Sequence, residues 1–326
     1  MHWVVPERDY LPPYPVDFNN TWAKLRWATT VVFSTRGMGW SHELKCVRPL
    51  QLRAARLSRI RYTFSSILSL VFFVALVDVQ TAWRESVLRD WTAEAPTGIT
   101  HLPWRLQLPL LWSHAAVSFA GIAGAYTAAA IPMVGLGFFD PVDFPGLFGD
   151  LRDAYTVRRP WNRVWHQNLR HILISGSNTL LAALRISNHT TAANTIKVFT
   201  AFALSGLLHA LAAALACRHD TGDFSFFISQ AVAIVLEETI MFVGRSILST
   251  GAQSSGKSQE RNAESASPES SRQQKATPKW YWRAVGFAWV VVWFTFSVRR
   301  YLDKQVRAGL YAPESGHVPL SARWIK

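Results

Sequence analysis

LPLLWSHAAVSFAGIAGAYTAAAIPMVGLGFF, residues 108–139, runs for 32 residues without a formal charge at neutral pH. A helix crosses the hydrocarbon core with about 20 consecutive apolar residues. This stretch is long enough to cross with tilt or to end in a turn, and its Gly and Ala positions let a neighbouring helix approach closely. Lipid offers the backbone no hydrogen-bond partners, so such a run must be helical.

The composition agrees with a membrane setting. The chain has 326 residues, 49% hydrophobic and only 17% charged, with 15 Trp, 19 Phe and 8 Tyr; a soluble domain carries about 25% charged residues. The net charge of +13 would suit a polyanion, but the basic residues fall in short clusters between long uncharged runs, as they do beside membrane helices. Nucleic acid is therefore not an expected partner, and the lipid bilayer is. Cys46 and Cys217 are too few and too far apart for a zinc site or a disulfide scaffold. No metal is expected, and no cleaved signal peptide, because Glu7, Asp9 and a Pro-rich run occupy the start.

Working outward, residues 1–21 form an irregular lead and 22–34 an apolar stretch too short to span. Residues 48–61, with five arginines at apolar spacing, predict a helix lying on the membrane surface. Tyr62–Val77 predicts a first span closed by Asp78 and Arg84, and 81–107 a mixed loop whose Trp83, Trp91 and Trp104 anchor near headgroups. Downstream of 108–139, the loop 140–160 takes its turns from Asp140 and Asp143. Ile172–Leu184 can cross only if its Ser, Gly and Asn residues face protein. Val198–Ala216, Phe224–Val243 and Ala284–Val298 complete the spans, and 249–279 is a polar connector expected to be disordered. The chain is thus expected to be all-α and polytopic, with about four to six spans and six preferred. With both ends in the cytosol, six spans put the arginine clusters at 53–61, 152–170 and 299–307 on one side. They also put Asn188, in an Asn-His-Thr sequence, on the lumenal side as a glycosylation acceptor.

Two constellations carry chemistry. RRPWNRVWHQNLR, residues 158–170, taken as a helix, aligns Trp161, Trp165 and Asn168 on one side and Arg159, Arg163, His166 and Arg170 on another. The arrangement suits phosphate binding beside an aromatic mouth, with Asn162, His166 or Gln167 giving directed hydrogen bonds. It equally suits an interfacial anchor with snorkelling arginines. The second is FALSGLLHALAAALA, residues 202–216, in which His209 is the one ionisable residue. An ionisable group at that depth is costly unless it pairs or works. A neutral imidazole there serves as a general base or as a hydrogen bond across a helix pair. Glu237 and Glu238, near the end of a span, read as structural, one interfacial and the other paired with a His or Arg of a neighbouring helix.

The stretches Thr35–Trp40 (TRGMGW), Trp161–Arg170 (WNRVWHQNLR) and Ser205–His209 (SGLLH) together resemble the wax synthase-like branch of the membrane-bound O-acyltransferases, in the order in which that family carries them. The resemblance covers roughly residues 20–310, so residues 22–310 are taken as the acyltransferase domain and 311–326 as a tail. The chain departs from the family pattern in its short segment before Thr35 and in Asn162-Arg163-Val164.

The resemblance implies transfer of an acyl group, expected to be acetyl, from acyl-CoA as cosubstrate to a hydroxyl of a hydrophobic acceptor, with no permanently bound cofactor. It implies His209 as the catalytic residue, with His166 and Asn168 as catalytic partners and Trp161, Trp165, Gln167 and Ser205 beside the substrate. Arg158, Arg159 and Arg163 are placed to receive the phosphates of CoA. Similar fungal proteins point to a terpenoid or meroterpenoid alcohol in secondary metabolism, or to a long-chain alcohol in wax ester synthesis, at the endoplasmic reticulum. A transporter or a noncatalytic scaffold would share the spans and the buried histidine; a transporter should show internal repeats, and none is evident.

Overall fold

The computed structural model describes residues 19–33, 36–38, 43–44, 46–92, 98–255 and 279–309. Thr35, Gly39 and Trp40, most of the 1–21 lead, the 311–326 tail and residues 256–278 of the expected connector lie outside these. Among the described residues the α-helices are α1 (Thr21–Phe33), α2 (Arg48–Ala54), α3 (Arg59–Thr92), α4 (Trp104–Gly135), α5 (Arg170–Ala183), α6 (Thr191–Cys217), α7 (Asp223–Ser255) and α8 (Trp280–Arg307), with no strand. Residues 249–255 of the expected connector continue α7.

Five helices are long and apolar enough to cross a membrane, over Arg59–Leu88, Trp104–Gly135, Thr191–Ala216, Asp223–Ile247 and Trp280–Arg307. Only 11–28% of their most apolar windows is buried within the protein, so most of that apolar surface must meet lipid. The chain is a multi-pass membrane protein. Asp78 and Arg84 do not close the first span. The helix continues through them, and Arg84 is buried rather than solvated. The arginine-rich surface helix is also not continuous: α2 ends at Ala54, and Arg59 and Arg61 begin α3.

The expected sixth span, Ile172–Leu184, is not one. It falls in α5, which has 14 residues, a length of about 21 Å against a hydrocarbon core of about 30 Å. α5 runs back alongside α6, with Ser177 Oγ donating to the Lys197 carbonyl at 3.3 Å. The chain from 140 to 183 therefore enters the bundle and leaves by the end at which it came in.

Two interlocks define the ends of the bundle. At one end Arg59 pairs with Asp140 at 2.9 Å, Glu237 accepts from the Val157 amide at 2.8 Å, and Arg283 donates to the Arg152 carbonyl at 2.9 Å. At the other, Asp303 accepts from the Thr100 amide at 3.0 Å, and Tyr301 donates to Asp223 at 2.6 Å. Leu88, Ile99, Leu102, Leu110, Leu111, Leu302 and Val306 form the core beneath this second end. The clusters at 53–61 and 152–170 thus share one end, while 299–307 lies at the opposite one, correcting the arrangement expected of six spans. Asn188 is exposed in the α5–α6 link, on the side of the 152–170 cluster, so the lumenal placement drawn from six spans does not hold.

Candidate active site

The site is built around the segment that turns back inside the bundle. Arg36, 3% exposed, fixes its entry: the guanidinium donates to the carbonyls of Gly146 (2.9 Å) and Pro145 (3.1 Å) and to Tyr126 Oη (2.7 Å). Asp140 and Asp143 cap each other's backbone and set the preceding turn, as expected of them. Gly149 then donates to the Val164 carbonyl at 2.8 Å, and a Cβ on Gly149 would strike the Arg163 carbonyl. Gly149→Ala should therefore unseat the loop and cut activity severely. Matched expression with wild-type activity would show that the loop tolerates the shift.

Residues 158–170 are not one α-helix. Pro160–Val164 is a single π turn, closed by Trp165 N–H donating to the Pro160 carbonyl at 2.7 Å, and Trp165 is extended. The extra residue in the turn rotates everything after it, so the two faces drawn from α-helical spacing do not exist. His166 comes round to the side of Trp161 and Trp165. Trp161 inserts among Phe202 (5.6 Å between ring centroids), Phe227 (5.8 Å) and Phe294 (5.9 Å), level with the middle of α6. Gln167 staples the turn by donating to the Trp161 and Trp165 carbonyls at 2.8 and 2.6 Å.

Behind this turn lies a cavity of about 310 Å³ bounded by the 158–170 segment and by α5, α6 and α7. It brings together Arg158, Trp161, Trp165, His166, Gln167, Ser205 and His209 of the expected residues. Asn168, Arg159 and Arg163 do not line it. Arg159 pairs with Asp153 at 2.9 Å, and Arg163 lies 3.7 Å from the same carboxylate. Arg158 lines the wall but is held by Glu238 at 2.6 Å, the structural pairing anticipated for that glutamate.

Lys197 and Asn194 were missed. They continue the α6 face that carries Val198, Ala201, Ser205 and His209, so the helical period of this stripe identifies them once the helix is extended back past Val198. Arg170 was read as part of the opposite face. It lines the cavity and donates to the Asn162 carbonyl and to Gln167 Oε1, each at 3.0 Å.

His209 Nδ1 lies 2.7 Å from the Ser205 carbonyl, one turn back on α6. A carbonyl only accepts, so Nδ1 carries the proton, and in the neutral form of the ring the lone pair is on Nε2. His166 is pushed down to about 4 by burial and by the neighbouring His209, and its Nδ1 is buried without a hydrogen-bond partner. It is therefore neutral at physiological pH. The cavity thus places a ring with a free basic nitrogen beside a second ring that stays uncharged.

Residues 144–229, which contain both histidines, match the model of the membrane bound O-acyl transferase family. Acetyltransferase eriL of Hericium erinaceus is 28% identical over 304 residues, covering 91% of this chain and 70% of its own length. Acetyltransferase ple2 of Rhodocybe pseudopiperita is 28% identical over 286 residues (87% and 67%), and acetyltransferase sirH of Leptosphaeria maculans 25% over 316 residues (92% and 68%). No solved structure matches. The resemblance read from the three sequence stretches is thereby shown: the chain is similar to membrane acyltransferases over most of its length.

Proposed function

We propose that the chain transfers an acetyl group from acetyl-CoA to the hydroxyl of an apolar, terpenoid-type alcohol, with His209 as general base. The observation that carries this reading is the His209 Nδ1 to Ser205 carbonyl bond, which leaves Nε2 as the basic atom on a cavity wall. In the reaction Nε2 takes the acceptor's hydroxyl proton as its oxygen attacks the thioester carbonyl. The tetrahedral adduct then collapses, the C–S bond breaks, and the imidazolium returns the proton to the departing CoA sulfur. His166 is assigned the hydrogen bond to the developing oxyanion in preference to Asn168, since it lines the cavity and Asn168 does not. The relatives named as acetyltransferases support the acetyl donor.

The basic end of the bundle, with the clusters at 53–61 and 152–170, is cytosolic by the positive-inside rule. Acetyl-CoA then enters from the cytosol past Lys197 and Arg158, and endoplasmic reticulum residence follows as part of this reading. The cytosolic placement of Asn188 argues against its glycosylation. Because Arg158 is already paired with Glu238, Lys197 is assigned to the CoA phosphates. Lys197→Glu should raise KM for acetyl-CoA about tenfold or more and leave KM for the alcohol unchanged. Rates of labelled ester formation in microsomes measure both constants; an unchanged acetyl-CoA KM would place donor entry elsewhere.

A further inference from the structure

A second cavity of about 300 Å³ lies between α3, α4 and the loop 144–148. Its wall alternates rings with hydroxyls, and three of those hydroxyls have committed their protons. Ser65 donates to the Tyr62 carbonyl at 2.9 Å, Ser69 to the Ser65 carbonyl at 2.8 Å, and Thr127 to the Ala123 carbonyl at 2.7 Å. Each of these three oxygens keeps lone pairs but no second proton, so at these positions the wall accepts hydrogen bonds. An apolar molecule with a hydroxyl donor complements it. A carboxylate or phosphate, which brings only acceptors, does not.

One ring separates this cavity from the histidines. Phe148 lines the second cavity, packs on Phe119 at a tilt with 4.4 Å between centroids, and meets Trp165 (5.2 Å) and His166 (6.1 Å) edge-on. Trp165 and His166 in turn line the first cavity. Phe148 is thus the side chain that lines the second cavity and touches two residues of the first. The volume falls at the lower end of small-molecule sites, about 300–1,000 Å³.

We propose that the α3–α4 cavity is the acceptor subsite: it holds the apolar alcohol with its hydroxyl on Ser65, Ser69 or Thr127 and passes that hydroxyl by Phe148 to the His166–His209 cavity. The assignment rests on the acyltransferase reading for what happens next, but occupancy of the cavity does not depend on catalysis. Donor and acceptor then arrive from opposite sides of the 144–170 segment and meet at His166.

The test is photolabelling of the purified full chain, without acetyl-CoA, by a diazirine derivative of a polycyclic terpenoid alcohol. Labelled residues are located by mass spectrometry. Label is expected within 62–73, 119–127 or 144–148 and is displaced by excess unlabelled alcohol. Thr127→Val, which keeps the shape and removes an acceptor oxygen, and Ala123→Leu, which fills space, should each reduce that label severalfold, while His209→Ala labels as the wild type does. Displaceable label confined to 198–234, label that excess alcohol cannot displace, or labelling unchanged in both α4 variants would overturn the assignment. Failure of the general-base reading would show instead as full ester formation by His209→Ala, with the label still on α3 and α4.

Discussion

Replacement of His209 by alanine should lower turnover by about 10²–10⁴-fold, the usual contribution of a positioned general base. The loss should appear in kcat. His209 is read as acting on the hydroxyl proton, and donor binding is assigned to the mouth around Lys197, so KM for acetyl-CoA should change little. The Ser205 carbonyl that now accepts from Nδ1 is a helix carbonyl, and its release leaves α6 intact. His209→Gln is the informative companion: it keeps a polar side chain of similar reach yet has no basic nitrogen. Loss in both variants assigns the effect to the base. Normal turnover in the glutamine variant alone would assign His209 a hydrogen-bonding role.

Arg36→Leu should cost about 3–5 kcal/mol, because the Gly146 and Pro145 carbonyls and Tyr126 Oη lose their buried donor together. The carbonyls of Pro145 and Gly146 belong to the loop that leads into the 158–170 segment. The destabilisation should therefore be accompanied by loss of acyl transfer. Thermal unfolding in detergent is expected to begin about 5–10 °C lower. Arg36→Lys keeps the charge but lacks the fork that reaches three oxygens, and should recover only part of the stability. An unchanged midpoint in Arg36→Leu would mean that the loop is held by other contacts.

The five crossings were legible because each centres on a long apolar run with few charges, and hydropathy reports length and composition directly. What hydropathy could not show is direction. α5 is apolar enough to suggest a span, but it starts inside the bundle beside Gln167 and has only 14 residues in which to return. That single misreading carried the extra crossing, the common side for all three arginine clusters and the lumenal Asn188. In the site, His209 was legible as an ionisable group in an apolar run, and His166, Trp161 and Trp165 through the resemblance. The split among the arginines was not, since Arg159 and Arg163 are drawn off by Asp153 and Arg158 by Glu238, pairings set by the tertiary fold. The π turn was hidden for a related reason: Pro160 suits the first turn of any helix, and nothing local distinguishes five residues per closure from four. Lys197 lies one residue before the uncharged run, outside what hydropathy marks but within reach of the helical period.

The most direct measurement supplies microsomes carrying the chain with labelled acetyl-CoA and a panel of terpenoid and long-chain alcohols, beside microsomes carrying His209→Ala at matched expression. Labelled ester from the wild type on terpenoid alcohols, and a loss of at least about a hundredfold in the variant, is the predicted result. Equal ester from both preparations would contradict the assignment of His209 as the base on which the account turns.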